Sequence, residues 1–125
     1  MASDYRGENK FHIGAKYAWN GLKIAVRTER NIKIHLVAGI AASMLGLMLS
    51  ISVVEWILLI LTISAVISME LMNTALERAL NHLEPSHQPA IGIAKDLAAA
   101  AVFTTAIAAF LIGCIIFIPY LFEFF

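Results

Sequence analysis

Cysteine is almost missing from this chain. Cys114 is the one thiol in 125 residues, so no intramolecular disulfide can form, and its place inside an apolar run gives it a packing role. Proline is scarce: three residues, two of them in "EPSHQP" at 84–89. No linker-like tract, repeat or low-complexity segment divides the chain, which reads as a single domain over 1–125. A cleavable signal is also absent, because the first thirty residues are charged throughout and contain no apolar core. Charged residues make up only 14% and sum to zero, and no nucleic-acid partner is expected. Neither a P-loop nor a glycine-rich kinase loop occurs, so a nucleotide cannot be held in either familiar way.

What is abundant is apolar sequence. Hydrophobic residues make up 60% of the chain, and mean hydropathy is +0.79. Residues 36–54 and 97–122 are uncharged, and each is long enough to cross a hydrocarbon layer of roughly 30 Å as a helix. A third span begins at Val53 and runs into "SMELMNTALE". Seven of nine Lys/Arg residues precede Leu36, and the other two, Arg78 and Lys95, flank the connection between the second and third spans. The connection near residues 50–55 and the C-terminus have none. The positive-inside rule then predicts a multi-pass protein of the cell inner (cytoplasmic) membrane, with the N-terminus and second loop cytoplasmic and the C-terminus outside.

The fold class expected is all-α: three transmembrane helices at about 32–50, 53–82 and 90–119, preceded by an amphipathic interfacial helix at about 10–30. Lys16, Asn20, Lys23, Arg27 and Arg30 lie within about 40° of one line on that first helix, opposite Phe11, Ala18, Leu22 and Ala25. Such a helix, with Tyr17 and Trp19, suits a membrane surface, where anchoring to anionic lipid suffices to explain the cations. "SVVE", 52–55, matches a capping box, which makes Glu55 a cap; Trp56 then sits at the outer interface.

Glu70, Asn73, Glu77 and Asn81 form a stripe about 60° wide on the second span. Glu70 lies about 26 Å along the helix from Val53, at the cytoplasmic edge of the apolar layer, and Glu77 about 10 Å further. A carboxylate at that boundary costs several kcal/mol without partners or a proton, roughly enough to mark a functional group. The bland alternative is an interhelical hydrogen bond, for instance Glu70 with Thr105. Glu29, at the junction of the first two helices, can approach Glu77, and two carboxylates at an aqueous edge suit Mg²⁺. Lys95 offers a point charge to a phosphate. These parts suggest a membrane-embedded, Mg-dependent phosphotransferase.

Three segments then carry a resemblance. "ELMNTALERAL" resembles the E-x-x-N-[ST]-A-[IL]-E signature of prokaryotic diacylglycerol kinases and the related undecaprenol kinases; "AWNGLKIAVRTERNIKIH" and "AKDLAAAAV" resemble their N-terminal segment and the start of their third span. The resemblance implies a compact homotrimer with active sites between subunits at the cytoplasmic interface. It also implies ATP as phosphoryl donor, Mg²⁺ as cofactor and a membrane lipid alcohol as acceptor. By its motif, Glu70 matches the catalytic base beside the lipid hydroxyl, Glu29 and Glu77 the metal ligands, and Asn73 an active-site amide. Lys95, Asp96, Tyr17 and, more loosely, Lys10 match nucleotide contacts. Ser86, His87 and Gln88 occupy the place of a nucleotide-contacting loop with different local residues. Asn81 departs from an aspartate common in the family, which removes a charge there. "RTERNIKIHL" is more similar to the undecaprenol kinases of Gram-positive bacteria, with His35 where the enteric diacylglycerol kinases have glutamate. Undecaprenol is therefore the first expected acceptor, and diacylglycerol, giving phosphatidate, the alternative. A small proton-coupled transporter using Glu70, or a noncatalytic subunit that docks a partner helix, would be the rival classes.

Overall fold

The computed structural model describes residues 10–125, with side chains from Gly14 onward, and the described residues are helical without strands. Helix α1 spans Lys10–Thr28, α2 Arg30–Leu49, α3 Val53–Leu83 and α4 Pro89–Phe124. The last three are long and apolar enough to cross a membrane. α3 has 31 residues, roughly 45 Å at 1.5 Å per residue, so its C-terminal turns extend beyond a hydrocarbon layer of about 30 Å.

Each boundary has a local cause. Glu29 adopts an extended conformation (φ −107°, ψ 116°) that separates α1 from α2 and places Glu29 at the N-cap of α2. The first helix therefore ends at Thr28, two residues short of the sequence expectation. Ser50 is left-handed (φ 52°), and its N–H and that of Ile51 bond back to Leu47 and Gly46 carbonyls, closing α2. Ser52 opens α3: its Oγ accepts the Glu55 N–H at 3.2 Å while Glu55 Oε1 accepts the Ser52 N–H at 3.2 Å. That is the capping box expected from "SVVE". Pro89 starts α4 at its first turn, where no amide donor is needed.

Pro119 does not end α4. The helix continues to Phe124, beyond the boundary near residue 119 set on sequence grounds. Proline removes one intrahelical bond, and the remaining backbone bonds carry the helix past it.

The three-residue turn makes α2 and α3 an antiparallel hairpin. Two glycines let the helices touch. A Cβ on Gly39 would lie 3.0 Å from Ile63 Cγ2, and one on Gly46 3.0 Å from Ile51 Cδ1 and 3.1 Å from the Trp56 ring. α4 returns along α3, its main packing partner. The buried core, Ile51, Leu59, Ile116 and Phe117, with Trp56 and Tyr120 against it, sits at the hairpin-turn end of the bundle. Large apolar side chains face outward along the spans, among them Met48 at 77%, Phe110 at 71% and Ile115 at 73% exposure. Such surface requires hydrocarbon or another subunit to cover it.

Candidate functional site

The polar side chains gather at the other end, where α1 joins α2 and α3 meets the loop to α4. Glu70 is the one buried charged residue among those described, 3% exposed. Its Oε1 lies 3.1 Å from His35 Nε2 on α2. Toward a carboxylate, which only accepts when ionised, the imidazole can donate through the Nε2–H tautomer. Thr105, the interhelical partner considered for Glu70, instead donates within α4, to the carbonyls of Ala101 at 3.2 Å and Val102 at 2.8 Å. The preceding turn of its own helix thus takes this hydroxyl.

One turn further, Asn73 Nδ2 donates to Glu77 Oε1 at 3.3 Å. Asn73 Oδ1 is buried and has no hydrogen-bond partner among the described residues. A buried acceptor without a donor is costly, and one beside a carboxylate marks a place that a cation or a donor on a ligand would satisfy. Next to Glu77, Arg78 Nη2 reaches Glu29 Oε1 at 2.6 Å and Thr28 Oγ1 at 2.7 Å. Glu29 and the Glu77–Arg78 level of α3 are therefore neighbours, but the direct partner of Glu29 is the arginine.

Lys95 at the start of α4 donates to Asn81 Oδ1 at the end of α3. Asn81 thus carries a hydrogen bond where a charge was expected from the family pattern. Both residues line a hollow of about 420 Å³ with Glu84, Ser86, His87 and Gln88. The loop positions singled out in the sequence and Lys95 share this one hollow. Asp96 is exposed on the next position of α4 and does not line it. Tyr17 is half-buried on α1. Lys10 begins α1, and its side chain lies outside the described residues. Among the described residues no three His, Cys, Asp or Glu side chains converge as a metal cage. That suits Mg²⁺, which is commonly held by one or two carboxylates together with water and substrate phosphate. The donors that fit are the carboxylates of Glu29 and Glu77 and the orphan amide oxygen of Asn73.

An apolar cleft of about 220 Å³ runs between α2, α3 and α4 below this level, lined by His35, Gly39, Val66, Phe110 and Phe117 among others. His35 thus touches both the buried carboxylate and the apolar cleft. The sequence resemblance marks His35 only as a position where the related kinases differ, and does not pair it with Glu70. A signal was available: His35 immediately precedes the uncharged run 36–54, and Glu70 immediately follows the uncharged run 56–69. In an antiparallel hairpin both fall at one depth.

A carboxylate is thus buried among three helices long enough to span a membrane, with a polar hollow at the α3–α4 loop. Residues 16–117 match the prokaryotic diacylglycerol kinase family. The chain belongs to that family and is a membrane lipid kinase, acting on a lipid with a phosphoryl donor such as ATP. It is 36% identical over 119 residues to an undecaprenol kinase of Bacillus subtilis, covering 94% of this chain and 97% of that one. It is 36% identical over 108 residues to a diacylglycerol kinase of Synechocystis, covering 86% of this chain but 62% of that longer relative. Against a diacylglycerol kinase of Escherichia coli the identity is 28% over 116 residues, 93% and 95% of the two chains.

Proposed function

We propose that this chain, a single kinase domain over 1–125, transfers the γ-phosphoryl group of ATP to a membrane lipid alcohol, undecaprenol before diacylglycerol. The observation that carries the chemistry is Glu70, buried at 3% exposure at the edge of the polar cluster. A lipid hydroxyl is tethered at headgroup depth by its chain, and a nucleotide stays in water. Only a base at the boundary can serve both.

Glu70 accepts the hydroxyl proton as the oxygen attacks the γ-phosphorus; the bond to the β-phosphate oxygen breaks and ADP leaves. Lys95 places a positive charge against the phosphates, and Asn81 holds it there. Ser86, His87 and Gln88 wall the hollow that suits the nucleotide; Asp96 and Tyr17 are further nucleotide contacts in this reading, as is Lys10, whose side chain lies outside the described residues. Glu29 and Glu77, with Asn73, would hold Mg²⁺, which when bound supplies charge opposite the phosphate oxygens. Concentrating both reactants in one plane accounts for much of the rate in so small a chain.

Preference for undecaprenol is supported by the near full-length match to the Bacillus subtilis undecaprenol kinase. The Lys/Arg distribution supports an inner-membrane protein whose polar cluster faces the cytoplasm. The exposed aromatic and aliphatic faces support a homotrimer with α1 lying on the membrane surface, each active site completed by a neighbouring subunit. The deciding experiment offers purified protein ATP with undecaprenol and with diacylglycerol side by side. The expected result is a higher kcat/KM for undecaprenol. Equal or reversed preference overturns the substrate assignment, and no transfer to either lipid overturns the reaction.

A further inference from the structure

We propose that His35 is the positioning residue of Glu70: its Nε2–H fixes one carboxylate oxygen so that the other faces the lipid hydroxyl. The inference rests on the reading of Glu70 as the base, and adds a residue and a geometric role to it.

Three observations carry it. Glu70 is buried, and the hydrogen bond from His35 at 3.1 Å joins it to a different helix. A carboxylate so placed keeps its charge only with a donor at hand. Second, the rest of the stripe is occupied differently. Asn73, one turn from Glu70, turns its amide toward Glu77, and Arg78, two turns on, turns its guanidinium toward Glu29. Third, His35 sits on a rigid support. Ile32, one turn before it, is 1% exposed, and Gly39, one turn after it, is in close contact with Ile63 of α3. The backbone that carries the imidazole is therefore held against its neighbours on both sides of His35.

The hydrogen bond also divides the work between the two carboxylate oxygens. Oε1 accepts from His35. Oε2 carries the lone pair that takes the hydroxyl proton. A base held by a third group is the general arrangement for an activated oxygen nucleophile. His35 itself gains and loses no proton in this step. It also lines the apolar cleft, so the alcohol's chain and the oriented oxygen meet at one side chain.

The test compares His35→Leu, His35→Gln and Glu70→Gln in purified protein, with kcat and KM for ATP and lipid alcohol and the melting temperature in detergent. The Gln amide reaches where Nε2 stands and still donates; Leu fills the space without a donor. His35→Leu is expected to lose kcat by about 10- to 100-fold, the usual scale for the outer partner of an active group. KM for ATP should stay unchanged, and His35→Gln should recover most of the loss. On the Glu70→Gln background His35→Leu should cost nothing further, since there is no base left to aim. If Leu fails to assemble, His35→Asn, whose amide is too short to reach Glu70, takes its place in the comparison with Gln. Wild-type kcat in the donorless variant, a Gln variant as poor as Leu, or additive losses in the double variant each overturn the positioning role. Glu70→Gln with near-normal kcat overturns the base assignment instead, so the two failures are distinguishable.

Discussion

Arg78 reaches from α3 across to the α1–α2 joint, with Nη2 2.6 Å from Glu29 Oε1 and 2.7 Å from Thr28 Oγ1. One guanidinium thus ties the only break between the first two helices to the polar end of the third. The pair is half exposed on the arginine side, so its contribution to stability is about 0–1 kcal/mol, typical of surface ion pairs. If Glu29 holds Mg²⁺ as proposed, the larger effect of Arg78 is on the metal. A guanidinium and Mg²⁺ compete for the same carboxylate charge. Arg78→Ala is therefore expected to lower the Mg²⁺ concentration for half-maximal activity while the melting temperature changes little. A rise in that concentration would mean that Arg78 assists the metal site.

Glu29→Gln and Glu77→Gln test the carboxylates themselves. An amide oxygen is a neutral and poorer ligand for Mg²⁺ than a carboxylate. Both variants should need more Mg²⁺, and added Mg²⁺ should partly restore the milder one. Glu77→Gln should be the more severe: its Oε1 faces a neutral amide, whereas Glu29 already faces the Arg78 guanidinium. If both keep the wild-type Mg²⁺ dependence, the metal assignment fails.

Asn81 and Lys95 make a second paired test. Asn81 Oδ1 holds the Lys95 ammonium beside the loop hollow. Asn81→Ala frees the lysine without removing its charge, so KM for ATP should rise by several-fold at most, about 1 kcal/mol for one hydrogen bond. Lys95→Ala removes the charge and should raise KM further and lower kcat. Identical ATP kinetics in Lys95→Ala would place the phosphates elsewhere.

Helix contact at Gly39 is steric and can be probed by stability. The Cβ of Gly39→Ala would lie 3.0 Å from Ile63 Cγ2, and a β-branched side chain in a helix has almost no alternative rotamer. The strain, about 1–3 kcal/mol, outweighs the 0.5–1 kcal/mol, roughly, that alanine contributes in a helix interior. A lower melting temperature is expected. Because His35 is one turn away on α2, kcat should fall with it. An unchanged or higher melting temperature would show that α2 and α3 tolerate separation there.

Much of this architecture is legible in the sequence because membranes impose simple rules. The uncharged runs reveal the spans, "SVVE" the start of α3, and the i, i+3, i+7 spacing the stripe. Pairing across helices is harder to read. Periodicity places Glu70 and Asn73 on one face of α3, but nothing in it says that the face meets His35. Nor does it say that Arg78, adjacent to Glu77, captures Glu29. The hairpin supplies that information only in part: from the turn at 50–52, 35 and 70 lie 15 and 18 residues away, but 29 and 78 lie 21 and 26. Pro119 misleads for another reason, since the loss of one intrahelical bond does not end a helix that the remaining backbone bonds carry on.

Orientation in the membrane is the remaining test, and the site depends on it. Among the charges, seven Lys/Arg residues precede Leu36, while Arg78 and Lys95 lie at the polar end of α3 and α4. The hairpin turn at 50–52 and the end of α4 carry no basic residue. Tyr120 and Glu55 join there instead, the hydroxyl donating to the carboxylate at 2.6 Å. The positive-inside rule then puts the polar end in the cytoplasm, where ATP is, and the Glu55–Tyr120 end outside. A phosphatase or fluorescent reporter fused after Phe125 should report an external C-terminus. Replacing the basic residues of α1 with glutamine should weaken that bias, since Lys and Arg near the span ends set orientation and acidic residues contribute little. A cytoplasmic C-terminus in the unaltered protein would put Glu29, Glu77 and Lys95 on the side without nucleotide and overturn the placement of the active site.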